Sequence, residues 1–491
     1  MDDDEFEDFG DPMTLNDCID CIQHSLTYAF LNTFKMMLIV NLSLKIVLKM
    51  VNWMFTSTRK EIVGRYCILL AGLILIFNNF LDNLHLAFLF LLYCVIGVSL
   101  LSLRRSLTNN SLWLFIVVTI SLNELTYYFG YGNGIRLRIH LMCSSMKLIA
   151  LKSVLKVIVI DKEKSLPNFP FLITYLIHPQ SLPIGGYFPP NLEKTIDQYS
   201  KIDSLKQTIL PFIQSLIFLA FSNCFMLILM SAGEIVIVDI LTTILPSALC
   251  QLIGKLFIAY CTALQFRTSH YFICHLIQFN HAFWGSNLIV AKPLMVELPR
   301  SLVDVVIAWD IPMHQWLKEY VYKPCKNRFD FASSILVTYT ISSYIHGFRF
   351  EIWSVLLSLG LLTWIESLIR NLLASTFNSC IGAKSCSYTK KTKINYFTII
   401  LNHLKSFSGY SIDQPECTRN HKLTPFNSVW VIIINIAFSL LAMFHLAYLG
   451  SSFDLNEEQS STKHVIETWF NIGFYSHIIG FATITFYYLI K

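Results

Sequence analysis

The sequence predicts an all-α polytopic membrane protein, a bundle of about ten or eleven transmembrane helices. Three observations lead there. Hydrophobic residues make up 54% of the 491 residues and charged residues only 14%, where a soluble domain carries about 25% charged residues. The apolar residues gather into stretches close to the roughly 20 that a helix needs to cross about 30 Å of hydrocarbon. In lipid the backbone has to satisfy its own hydrogen bonds, and helices do so within one segment.

Taken in order, the stretches that meet this length are 24–50, 65–81, 84–103, 111–130, 137–160, 207–230, 234–262, 331–347, 352–371, 427–449 and 466–490. Ahead of them lies an acidic tail, residues 1–20, with Asp2, Asp3, Asp4, Glu5, Glu7, Asp8 and Asp11. A secretory signal opens on a basic region, so this tail is not one. It is expected to be disordered, with an internal helix acting as signal-anchor. The transmembrane domain is then 21–490, with a core at about 262–371 and a polar loop at 372–425. The chain shows no internal repeat, which speaks against a transporter built from inverted halves.

Net charge is +5. The basic residues form short clusters, Arg104–Arg105 and Lys390, Lys391 and Lys393, of the kind that orient membrane helices. They do not point to nucleic acid. The basic loops at 323–328 and 384–393 are expected on the cytosolic side. The 13 cysteines are scattered, and many, such as Cys67, Cys94, Cys250 and Cys261, sit in apolar segments. They read as small buried hydrophobes rather than as a disulfide framework.

Two connecting segments are unusual. Residues 165–191 are rich in Pro and Gly yet apolar between them, and Phe169 to Ile177 is too short to span. Such a segment is either re-entrant or interfacial structure, tolerated at membrane depth where protein buries it, or a surface loop. Residues 309–323 place Met313, Trp316, Leu317, Tyr320 and Val321 at helical spacing after Pro312. This is a short amphipathic helix suited to an interface or to packing on a bundle. Asp310 stands at its N-terminal end, where a carboxylate caps free N–H groups.

His346 is the leading candidate for chemistry. It follows an apolar run from Ile335 to Ile345, and an ionisable group inside a membrane helix marks a functional site by default. About 15 residues into its segment, it lies roughly 22 Å along the helix, beyond the bilayer midplane. A neutral imidazole can serve as general base for a hydroxyl attacking a thioester; the alternative is a histidine hydrogen-bonded between helices. Asp310 is read as a cap that can also orient the base. His270, His275 and His281 are spaced five and six apart, unlike a helical metal pair. Cys380, Cys386, Cys417 and His421 give C-x5-C and C-x3-H in a polar loop. Zinc more often uses tighter C-x2-4-C pairs, so no metal is expected there or elsewhere. The Gly130–Gly134 run follows no strand and reads as a turn.

Residues 262–455 resemble the Wnt-modifying branch of the membrane-bound O-acyltransferases. The resemblance is carried by Lys292-Pro293-Leu294, Val296-Glu297-Leu298-Pro299-Arg300-Ser301, Trp309-Asp310-Ile311-Pro312-Met313, Trp316-Leu317, Leu336-Val337-Thr338-Tyr339, His346-Gly347-Phe348 and Phe444-His445-Leu446-Ala447-Tyr448. It implies a multi-helix bundle with re-entrant or interfacial helices around a central tunnel. It also implies transfer of a palmitoleoyl group from palmitoleoyl-CoA, the co-substrate, to a serine of Wnt proteins at the endoplasmic reticulum membrane. His346 takes the place of the family's catalytic histidine. Asp310 takes that of its second polar residue, a position often held by asparagine in this branch. Arg267 and Tyr271 are candidates for the acyl-CoA side, or are interhelical hydrogen-bond donors. Trp309, Ser342 and Ser343 are candidates for lining the tunnel. A lipid or another protein as acceptor, or a non-enzymatic transporter, remain the alternatives.

Overall fold

The computed structural model describes residues 15–29, 34–103, 110–129, 134–160, 167–182, 186–190, 196–200, 205–226, 229, 246–386, 417–453 and 462–491. The regular elements among the described residues are helices, joined by turns and irregular segments, and an isolated bridge pairs Ser379 and Leu423. The helices are α1 (Leu15–Ala29), α2 (Lys35–Met54), α3 (Ser57–Asn79), α4 (Leu84–Ser102), α5 (Ser111–Tyr128), α6 (Gly134–Ile160), α7 (Phe169–Leu176), α8 (Leu205–Ala220), α9 (Ser247–Phe283), α10 (Leu302–Trp309), α11 (Ile311–Leu317), α12 (Phe331–Ile345), α13 (Phe350–Thr376), α14 (Val429–Gly450), α15 (Thr462–Asn471) and α16 (Tyr475–Ile490).

Eight helices among the described residues are long and apolar enough to cross a membrane, or nine if the bent pair α15–α16, which turns by 73°, is one span. Large apolar side chains, among them Leu70, Phe88, Leu92, Ile258, Leu361, Ile433 and Phe481, face outward. That surface suits hydrocarbon, where no water is available and no penalty attaches to exposed apolar groups.

The count falls below the expected ten or eleven for identifiable reasons. The stretch 24–50 keeps its span, shifted to α2, while the last stretch, 466–490, becomes the bent pair α15–α16. Segment 137–160 is helical, within α6, but carries Arg138, Lys147, Lys152 and Lys156 and does not pass as a lipid-facing span. Segment 331–347 yields the 15-residue α12. Stretch 234–262 begins outside the described residues, and its helix continues to Phe283. The polar residues after 262 did not end that helix because they point into protein: Arg267, His275, Asn280 and His281 are all buried. The tail is also shorter than 1–20, since α1 starts at Leu15; residues 1–14 lie outside the described residues, as does the Gly130–Gly134 run up to Gly134. Cys21 and Cys224 are disulfide-bonded, one pair that departs from the reading of the cysteines as small buried hydrophobes.

The described residues of segment 165–191, 167–182 and 186–190, form a short helix and a turn that are mostly buried over 172–182, and not a surface loop. Leu172, Leu176 and Ile177 are almost fully enclosed. Helix α7 spans only eight residues and ends in the interior, so its last carbonyls need donors. The Lys147 ammonium supplies them, at 3.2 Å from the Tyr175 carbonyl and 3.0 Å from that of Leu176, and also bonds the Ser181 hydroxyl. A side chain on Gly72 of α3 would meet the Ile177 carbonyl at 2.1 Å, so that close approach requires glycine. Polar pairs fix other crossings. Asn41 of α2 donates to Asn280 of α9 at 2.8 Å, and the Trp284 indole donates back to Asn41 at 3.2 Å.

Candidate active site

The site is assembled by four elements: α9, the α10–α11 corner, α12, and the α5–α6 pair behind it. The corner starts at Ser301, whose hydroxyl accepts from the Asp304 N–H at 3.2 Å and caps α10. Glu366 of α13 accepts from the Leu302 N–H at 2.7 Å. Helix α10 ends at Trp309. Asp310 then adopts extended backbone and caps α11, accepting from the Met313 N–H at 2.9 Å, with Pro312 in the first turn as expected. Burial pushes the Asp310 carboxyl up to about 6, opposed by the Met313 N–H. Cys143 of α6 and Cys274 of α9 lie within electrostatic reach of that carboxylate.

The amphipathic helix packs on the bundle. Trp316 is buried, and its indole N–H donates to the Met146 carbonyl of α6 at 3.0 Å.

His346 is not inside a helix, as its segment suggested. It caps the C-terminus of α12, its N–H bonding the Ser343 carbonyl at 3.1 Å. Gly347 follows with φ of +94°, the left-handed conformation that ends helices and that glycine adopts without penalty. A Cβ there would lie 2.6 Å from Glu124 Oε2 and 2.7 Å from Arg138 Nε. Those two residues form a bidentate, almost fully buried ion pair, with Arg138 Nε 2.6 Å from Glu124 Oε1 and Nη2 2.7 Å from Oε2. Glu124 also accepts from the Phe348 N–H at 3.0 Å, and the Trp353 indole donates to the Gly347 carbonyl at 2.7 Å. The turn carrying His346 is therefore gripped from both sides.

His270 of α9 joins the two halves. Its ring stacks on the Trp309 indole, centroids 4.2 Å apart and planes within 6°. Its Nε2 lies 3.1 Å from the Trp309 carbonyl and 3.2 Å from Cys274 Sγ. His346 is within electrostatic reach of His270 and of Arg138. His270 thus stacks on the residue next to Asp310 and interacts electrostatically with the histidine at the end of α12.

The other predicted residues divide. Trp309 belongs to this centre. Ser342 is buried one turn before His346, on the same side of α12. Ser343 is fully buried, and its hydroxyl donates to the Tyr339 carbonyl of its own helix at 2.9 Å. Arg267 and Tyr271 converge on Glu297: Arg267 Nε and Nη2 lie 2.8 and 2.9 Å from the carboxylate, and the Tyr271 hydroxyl donates at 2.7 Å. That is the geometry of interhelical donors. The Tyr260 ring, 5.5 Å from the Arg267 guanidinium, leads from this cluster to an apolar cavity of about 190 Å³ between α9 and α14, lined also by Leu256, Phe444 and Tyr448.

Sequence reasoning missed Glu124 and Arg138, and weighed His270 only as a metal ligand. A lone acid in the apolar stretch 111–130 is itself a signal for a buried partner. His270 and Cys274 stand at i and i+4, which places them on one helix face.

Residues 66–401 match the family model described as MBOAT, membrane-bound O-acyltransferase family. The chain belongs to this family. Among curated proteins it is 33% identical over 249 residues to the protein-serine O-palmitoleoyltransferase porcupine of Homo sapiens, covering 47% of each chain. It is 33% identical over 254 residues to that of Anopheles gambiae, covering 47% of this chain and 45% of that one. Against that of Drosophila melanogaster it is 32% identical over 256 residues, covering 48% and 44%. The chain spans about half the length of the curated relatives it matches.

Proposed function

We propose that this protein transfers a palmitoleoyl group from palmitoleoyl-CoA to a serine hydroxyl of Wnt proteins, as a multi-pass protein of the endoplasmic reticulum membrane. The observation that carries the reading is His346, a half-buried imidazole on a turn clamped by the Glu124–Arg138 pair and within electrostatic reach of His270, whose ring stacks on Trp309. The names of the relatives supply the acyl group and the acceptor residue.

In the proposed reaction His346 accepts the proton of the serine hydroxyl. The oxygen attacks the thioester carbonyl, the carbon–sulfur bond breaks, and the departing thiolate of CoA takes the proton from the imidazolium. The products are a serine ester and CoA. The apolar surroundings keep water from competing for the thioester and hold the reactants in register. Asp310 acts as a positioning residue, fixing the corner that carries Trp309. No resident cofactor enters the scheme.

The test is transfer from palmitoleoyl-CoA to a Wnt-derived serine peptide by the purified protein. His346→Ala is expected to lose roughly 10²–10⁴-fold in turnover, the usual contribution of a general base, with unchanged thermal unfolding. Full transfer by that variant would remove His346 from the chemistry. Transfer to a lipid alcohol in preference to the peptide would reassign the acceptor.

A further inference from the structure

We infer that Cys380, Cys386, Cys417 and His421 form a structural zinc site. Their four donor atoms all lie within 4.8 Å of one another, and the three cysteines are buried. His421 Nδ1 is 3.4 Å from Cys380 Sγ, 3.4 Å from Cys386 Sγ and 3.8 Å from Cys417 Sγ. A tetrahedron built on Zn–S bonds of about 2.3 Å and Zn–N bonds of about 2.0–2.1 Å has edges of roughly 3.5–3.8 Å. The ring nitrogen therefore already stands close to zinc-ligand separations from all three sulfurs, and the sulfurs are gathered within 4.8 Å of one another. Three soft thiolates with one imidazole select zinc over hard cations.

Spacing argued against this site because each half, C-x5-C and C-x3-H, falls outside the usual pairs. The fold supplies what the spacing lacks. Residues 387–416 separate the halves in sequence. The Ser379–Leu423 bridge joins them, with the Cys380 N–H bonded to the Leu423 carbonyl at 2.8 Å and the Leu423 N–H to the Asn378 carbonyl at 3.1 Å. Asn378 and Asn420 take left-handed backbone to make the turns. The Arg419 N–H donates to Cys417 Sγ at 3.4 Å, which fixes the direction of that sulfur. A disulfide would account for two of the sulfurs and leave the third, and the histidine, without a role.

Four protein ligands leave no open position, so the site is structural and not catalytic. Its position gives it a purpose. The Ala383 carbonyl accepts from Ser301 Oγ at 3.0 Å and from Arg300 at 3.3 Å, and the Cys380 carbonyl accepts from Arg300 at 3.1 Å. The metal would pin this loop to the start of α10, the helix that ends at Trp309 and Asp310. The inference does not depend on the acyl-transfer reading.

The experiment is metal analysis of the full chain purified in detergent. It is expected to hold close to one zinc per chain, and Cys417→Ser and His421→Ala are expected to lose it. After chelation, cobalt is expected to give thiolate-to-cobalt charge-transfer and tetrahedral d–d bands, and the thermal midpoint to fall and recover with zinc. Wild-type protein whose zinc stays far below one per chain with zinc supplied, and whose three thiols alkylate freely or include a disulfide, would overturn the assignment whatever the variants do.

Discussion

The two sides of the candidate site are held by different physics. On one side, His346 rides a backbone turn fixed by a buried ion pair from α5 and α6. On the other, Trp309 and Asp310 are placed by helix caps, ring stacking and a chain of hydrogen bonds reaching the Cys–His loop. A buried ion pair tolerates little. Removing one partner leaves an uncompensated charge and costs about 3–5 kcal/mol. A cap is more forgiving, typically worth about 1 kcal/mol. The histidine side should therefore be brittle and the aspartate side graded.

Arg138→Met tests the brittle side most directly. It is expected to cost about 3–5 kcal/mol, read as a large fall in the thermal midpoint. An unchanged midpoint would mean that the pair does not support the turn. Gly347→Ala comes next. The strained φ alone costs about 1–3 kcal/mol, and the new methyl displaces the ion pair. Turnover should fall with little change in KM, because the turn sets the position of His346 rather than substrate binding. A change confined to KM would contradict that.

Asp310→Asn should have the smallest effect, since asparagine also caps helices well. Its signature lies in pH. Burial raises the Asp310 carboxyl from the ordinary range near 4 to about 6. The folded state then binds more protons than the unfolded state between those values, so stability from this group is present at low pH and is lost as pH rises through 6. Thermal midpoints across pH 4–7 should show that decline in the wild type and not in Asp310→Asn. Parallel profiles would show that the carboxyl does not titrate there.

What was legible in the sequence follows the same division. The long apolar spans, the cap at Asp310 and the singular His346 could be read because each depends on local pattern or on the cost of burying charge. The end of α12 at His346 was hidden, since His-Gly inside an apolar run looks like continuing helix until the left-handed Gly347 is seen. The run of α9 to Phe283 was hidden because polar residues facing protein look, in sequence, like polar residues facing water. Glu124 with Arg138, and Cys386 with Cys417, are partners that only the folded chain brings together.

The short helix α7 has a consequence for assembly. Eight residues cannot be released into a bilayer as a self-sufficient segment, because their terminal carbonyls would face hydrocarbon without donors. Lys147 satisfies those carbonyls from the preceding helix. During synthesis α7 can partition from the insertion channel only as a companion of α6, and Lys147 enters lipid only with its acceptors in hand. The pair is then one insertion unit, entering the membrane together rather than one helix after the other.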